Sequence, residues 1–172
     1  MAMTTTRRTG PDLLGVYLND HLAGATVGVE LARRMAASAG PRPAIAGTLK
    51  KLAAEIAADR RSLIEIMTAL NIPQRNYKVF AAWAGEKAAR LKFNGRVLSR
   101  SPLSSLEETE ILRLGVEGKA AGWRTLRVLA ERDTRLDTST LDELNARAAR
   151  QSAVLEDLRT DIAEQLLASD AR

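Results

Sequence analysis

Between residues 44 and 70, apolar side chains recur at alternating spacings of four and three: Ile45, Leu49, Leu52, Ile56, Leu63, Ile66 and Leu70, with Asp59 holding the one polar place in the series. A spacing of this kind keeps one face of an α-helix apolar and is incompatible with a strand, whose period is two. The same period covers most of the chain. It predicts helices over about 12–38, 44–70, 77–93, 104–132 and 140–168. Breaks fall at Gly40-Pro41-Arg42-Pro43, Asn71-Ile72-Pro73, Asn94-Gly95, Ser101-Pro102 and Asp137-Thr138-Ser139-Thr140. Capping boxes are expected at Ser104 with Glu107, Ser105 with Glu108 and Thr140 with Glu143, and Leu103 is placed to act as a hydrophobic staple.

Four long helices of about 40 Å and one short one define an all-α four-helix bundle. The short connections after the first and fourth helices make two antiparallel hairpins. The stretch 71–103 is too long for a plain loop and is read as a crossover carrying the short helix, with Phe80, Trp83, Ala84 and Leu91 as its apolar positions. Residues 1–11 read as a disordered leader, 12–168 as a single domain and 169–172 as a tail. Aromatic residues make up only 3% of the chain, as suits helix-on-helix packing more than β-structure. No apolar run approaches the roughly 18 residues of a membrane span, so no membrane partner is expected and the expected location is cytoplasmic.

Each seam carries polar interruptions: His21 on the first helix, Asp59 with Glu55 one turn before it on the second, Lys119 on the fourth and Gln151 on the fifth. At 1.5 Å per residue, and with the crossover running the length of the bundle, these positions fall at heights of roughly 14 to 20 Å. They agree to about one helical turn. A buried layer follows, with the Lys119 ammonium between Asp59 and acceptors on Gln151 and His21. Two readings remain open. The layer fixes packing register, or it lines a ligand pocket. Gly24, Gly28, Gly115, Gly118 and Gly122 each cost up to about 1 kcal/mol of helix stability and are read first as points of close helix approach, with a cavity beside the polar layer as the alternative.

Two hairpins, a long crossover and a mid-bundle polar layer resemble the ferritin-like superfamily. The stretches YLNDHLAGATVGVELARR (17–34) and LAAEIAADRRSL (52–63) are similar to ferritin-like proteins of a degenerate, metal-ligand-poor actinobacterial type. The resemblance implies a homodimer and a structural or protein-interaction role. The family's di-iron centre takes a Glu from each of two helices and a Glu-x-x-His from each of the other two. Here Glu55 is followed at the third position by Ala58, Asp59 by Ser62, and the only histidine is His21. No metal and no cofactor are therefore expected, nor the oxidoreductase chemistry of such a centre. The alternative is a ligand-binding, metal-binding or oxidoreductase protein using His21, Glu55, Asp59, Lys119 and Gln151.

With no cysteine and one histidine, disulfide scaffolds, zinc ribbons and cysteine nucleophiles are excluded. No phosphate-binding glycine loop or nucleophile elbow occurs, so no catalytic residue is assigned. Of the net charge of +5, residues 1–100 carry +9 and residues 101–172 carry −4. The densest basic stretch is 71–103, where Arg75, Lys78, Lys87, Arg90, Lys92, Arg96 and Arg100 face Glu86 alone. It is the one place where nucleic acid, a third reading, would bind electrostatically. Without a recognition motif, the stretch reads first as a solvated face or a patch docking on the acidic second half. Arg33-Arg34 and Arg60-Arg61 are read as solvated faces.

Overall fold

The computed structural model describes residues 12–39, 43–75 and 103–170. The expected leader 1–11, the short helix over 77–93 and nearly all of the basic stretch lie outside the described residues. Among the described residues there are four α-helices: α1 (Leu13–Ala37), α2 (Pro43–Ala69), α3 (Ser104–Leu129) and α4 (Thr138–Asp170). No strand occurs among the described residues. None of the described helices is long and apolar enough to cross a membrane. The expected tail from 169 is partly taken up by α4, which continues to Asp170.

Each helix lies antiparallel to the neighbours it touches. Asn19, early in α1, donates to the Pro73 carbonyl just past the end of α2, and Arg60 of α2 donates to Thr26 of α1. Arg127 meets Asp142, and Arg113 meets Glu156, so α3 and α4 also run in opposite senses. Tyr17 donates to Thr125, and Arg34 pairs with Glu108, so α3 opposes α1 as well. The four helices therefore run up, down, down and up. The end of α2 and the start of α3 lie at opposite ends of the bundle. Around the bundle the order is α1, α2, α4, α3, which leaves α2 and α3 on a diagonal.

The core follows the apolar period on three helices. On α2, Leu49, Leu52, Ile56 and Leu63 are buried; on α3, Leu112, Val116, Trp123 and Leu126; on α4, Leu141, Leu144, Leu155 and Leu158. On α1 the expected face through Tyr17, His21, Gly24, Gly28, Leu31 and Met35 is buried only at its end, at Leu31 and Met35, and over the earlier turns the inward face is turned by one residue. Leu18, Leu22, Val29 and Ala32 point inward, whereas Tyr17, His21 and Gly28 lie half-buried on the flank and Gly24 is exposed. One residue is about 100° of rotation. A helix rich in Ala and Gly offers two similar stripes, and the larger apolar surface of Leu18, Leu22 and Val29 takes the interior.

The helix ends show why local sequence selects them. Asp12 caps α1 by accepting from the Gly15 N–H at 3.0 Å, and a Cβ at Gly15 would collide with that carboxylate. α2 ends with Asn71 in the left-handed region, φ 58, while the Ile72 N–H reaches back to the Met67 carbonyl at 2.8 Å. This is the pattern in which asparagine, like glycine, tolerates a positive φ and closes a helix. The expected capping boxes do not form. α3 begins at Ser104 with Leu103 at the cap position, offering no side-chain acceptor and 48% exposed. α4 begins two residues before the expected start, because Asp137 reaches both the Thr140 N–H at 3.0 Å and the Ser139 N–H at 3.3 Å. A carboxylate satisfies two orphan donors where a threonine hydroxyl satisfies one.

The Thr140 and Ser139 hydrogen bonds hold the Asp137 carboxyl at about 2, below its ordinary 3.8. A group whose folded value is depressed stabilises the fold fully above its unfolded value and loses that contribution as pH falls through the folded one. Asp137→Ala is thus expected to lower the thermal midpoint at neutral pH and to weaken the drop in stability between about pH 4 and 2. Melting curves at stepped pH check this, and an unchanged acid profile would remove Asp137 from the cap.

Candidate functional site

The polar interruptions on α2, α3 and α4 meet inside the bundle. Asp59 is 1% exposed and Gln151 equally so. The Lys119 ammonium crosses the diagonal from α3 and donates to Asp59 Oδ2 and to Gln151 Oε1, each at 2.5 Å. Gln151 Nε2 donates to Asp59 Oδ2 at 3.1 Å and to Glu55 Oε2 at 3.3 Å. Arg147, one turn before Gln151 on α4, places Nε 2.6 Å and Nη2 2.5 Å from Asp59 Oδ1. Both oxygens of one buried carboxylate are thus saturated by three side chains from two helices.

Four of the five expected residues, Glu55, Asp59, Lys119 and Gln151, are brought together. His21 is not among them, which corrects its expected role as an acceptor for Lys119. The rotation of α1 sets its ring on the α1/α3 flank. There it packs edge-on to Tyr17 at 4.5 Å and against the backbone at Gly122, where a Cβ would lie 3.0 Å from the ring. An ammonium with a carboxylate in reach gains far more from that charge than from a neutral imidazole. Burial lowers the His21 imidazole from its ordinary value, with Asp20 opposing.

Arg147 is the member that periodicity alone does not reveal. It neighbours Ala148, which fills the seam position. The available signal is its spacing: Arg147 and Gln151 are four apart, the distance at which two side chains on a helix share a face. With Arg147 included, two carboxylates, Glu55 and Asp59, face two cations. Burial pushes the Lys119 ammonium below the usual lysine range, and the Asp59 carboxylate pulls the other way.

The remaining polar groups lie elsewhere. Glu117 accepts from Ser152 on the outer α3/α4 face, and Glu30 pairs with Arg33 in solvent. Arg60, read as solvated, is half-buried and bonds Thr26 across α1 and α2. A shallow groove of about 380 Å³ runs between α3 and α4 over Ala120, Ala148 and Ala149. The charges on its rim, Arg113 and Glu156, pair with each other at 3.2 Å. Among the described residues, no three His, Asp or Glu side chains converge as a metal site requires. The basic stretch 71–103 contributes only Arg75 to the described residues, so its nucleic-acid reading has no geometry here.

The glycines correct a second expectation. Only Gly122 has a close neighbour; a Cβ at Gly24, Gly28, Gly115 or Gly118 would meet nothing within 4 Å. Four of the five therefore leave open space and mark no close approach.

Chemically, the cluster is closed and charge-balanced. Asp59 already holds two cations, Glu55 accepts from the Gln151 amide, and that amide is used as both donor and acceptor. No family model matches this chain, and neither a curated protein nor a solved structure matches it.

Proposed function

We propose that this chain is a ferritin-like bundle that works as a structural or protein-interaction module, with its interior carboxylates neutralised by protein cations in place of metal ions. The observation that carries the reading is the Lys119 ammonium, which crosses the bundle to Asp59 and Gln151 at the height where a ferritin-like protein would hold its metal. The up, down, down, up order of the helices supports the same resemblance. A metal ion would have to displace both Lys119 and Arg147 from Asp59. The role of the cluster is then to fix how α2, α3 and α4 are rotated and stacked, because a slipped packing separates buried charges.

Two measurements test this. The protein purified from cells grown with excess iron or manganese is expected to carry substoichiometric metal; one metal per chain would overturn the reading. Lys119→Met is expected to keep the fold with an unfolding free energy within about 1 kcal/mol of the parent, because Arg147 and Gln151 still satisfy Asp59 and an apolar replacement removes a desolvation penalty. A loss of several kcal/mol in urea unfolding would show that Arg147 and Gln151 do not suffice for Asp59 and would overturn the reading of Lys119 as a replaceable packing element.

A further inference from the structure

A second 4-3 series runs along α3, across the helix from the one that faces the core. It comprises Ile111, Leu114, Gly118, Ala121, Thr125 and Val128, and every one of them is exposed. Leu114 is 69% exposed and Val128 67%. The buried series on the same helix is Leu112, Val116, Trp123 and Leu126. Among the described residues, α2 and α4 carry no large exposed apolar side chain. A 4-3 series is the spacing at which one helix lays a continuous seam along another, and an exposed apolar strip marks a contact surface. α3 already packs on α1 and α4 through its buried side, so the outer seam calls for a further helix.

The charges on α3 identify the helix that fits this seam. Residues 104–118 carry Glu107, Glu108, Glu110 and Glu117 against Arg113, whereas residues 119–129 carry Lys119, Arg124 and Arg127 and no acidic residue. Lys119 is engaged inside the bundle and Arg113 pairs with Glu156 of α4. Glu107, Glu110, Glu117 and Arg124 are exposed. A helix acidic at its start and basic toward its end is complementary to a copy of itself laid antiparallel, while a parallel pairing sets the two acidic halves side by side. Residue size agrees with the antiparallel sense. A twofold axis between Lys119 and Ala120 sets Gly118 on the partner's Ala121, Leu114 on the partner's Thr125 and Ile111 on the partner's Val128. Glu117 then flanks the partner's Arg124, twice by symmetry. Nothing lies within 4 Å of where a Cβ at Gly118 would be, so two helices have room to close on each other at the axis.

We propose that α3 pairs antiparallel with α3 of a second copy of this chain, through the seam over 111–128 and about a twofold axis beside Gly118 and Ala121. The interface is isologous, so every contact occurs twice. The seam is about 26 Å long, with its larger side chains toward the ends and its smallest at the axis. The pairing stands on α3 alone, without the ferritin-like resemblance, and it gives the interaction role a partner, a face and a register. Metal content tests the one reading and oligomeric state the other, so each can fail by itself.

Sedimentation equilibrium of the full chain is expected to give a dimer mass at about 100 μM, falling toward the monomer on dilution. Leu114→Glu, at an exposed position, is expected to leave far-UV dichroism unchanged and to raise the dimer dissociation constant at least about tenfold, because pairing then desolvates a carboxylate on each seam. Lys51→Glu on the exposed face of α2 is the control, expected to leave the constant unchanged. Charge exchange reads the direction of pairing. Glu117→Arg alone and Arg124→Glu alone are each expected to weaken the dimer, and the double variant to restore it, because every arginine again meets a glutamate. A monomer at about 100 μM, as when another part of the chain covers the seam, would overturn the proposal. A dimer indifferent to Leu114→Glu would overturn it too, placing the contact on another face. A double variant as weak as the single ones would reject the antiparallel register.

Discussion

Asp59→Ala is expected to lower the unfolding free energy by about 3–5 kcal/mol, the cost of leaving buried charge without its partner. The argument is one of connectivity. Asp59 accepts from Lys119, Gln151 and Arg147, and no other carboxylate among the described residues touches Lys119. The Lys119 side chain is 13% exposed and has little water to turn to; Arg147, at 30%, retains more. Removing the carboxylate therefore leaves one ammonium with only the neutral Gln151 oxygen and one guanidinium partly solvated. Asp59→Asn, which keeps the shape and one acceptor, is expected to fall between the alanine variant and the parent. Urea denaturation midpoints at constant slope read the difference. The closed-cluster model would not survive a loss below about 1 kcal/mol for Asp59→Ala.

Trp123→Ala is the second large effect, expected at about 3–5 kcal/mol. Trp123 is 2% exposed on α3, one turn beyond Lys119, and fills the bundle where most other side chains are aliphatic. Its Nε1 donor is buried and has no partner. Such a donor carries a desolvation penalty of about 1–3 kcal/mol. Trp123→Phe deletes the donor along with part of the ring, so the relieved penalty offsets part of the cavity. The phenylalanine variant is accordingly expected to lose less than half of what the alanine variant loses. Calorimetry or urea unfolding of the pair decides it. Equal losses would mean that the indole N–H finds a partner, such as an interior water.

These expectations rest on parts of the molecule that were unequally legible in the sequence. On α2, α3 and α4, apolar residues fill the other seam positions, so a single polar residue in the series stands out, and Asp59, Lys119 and Gln151 fall where the period puts them. On α1 the apolar residues are interleaved with Ala and Gly, and two faces compete. The period alone favoured the one carrying His21, while packing chose the one carrying Leu18 and Leu22. Arg147 escaped because a seam is read from apolar positions, and a long cation beside a seam alanine is ordinarily solvated. The capping residues failed for a related reason. Asp137 and Thr140 both lie in the last break, and only geometry decides which oxygen reaches the free N–H groups.

The cluster binds α2, α3 and α4 to one another and omits α1. The first helix is held by its leucines, by Arg60 on Thr26, by Tyr17 on Thr125 and by the fit of His21 into the hollow at Gly122. None of these contacts separates a buried ion pair when it breaks. The bundle is therefore uneven in how it can come apart. Parting α2 from α3 and α4 separates the Asp59 ion pairs, whereas parting α1 from its neighbours exposes apolar surface and breaks uncharged or solvent-exposed contacts.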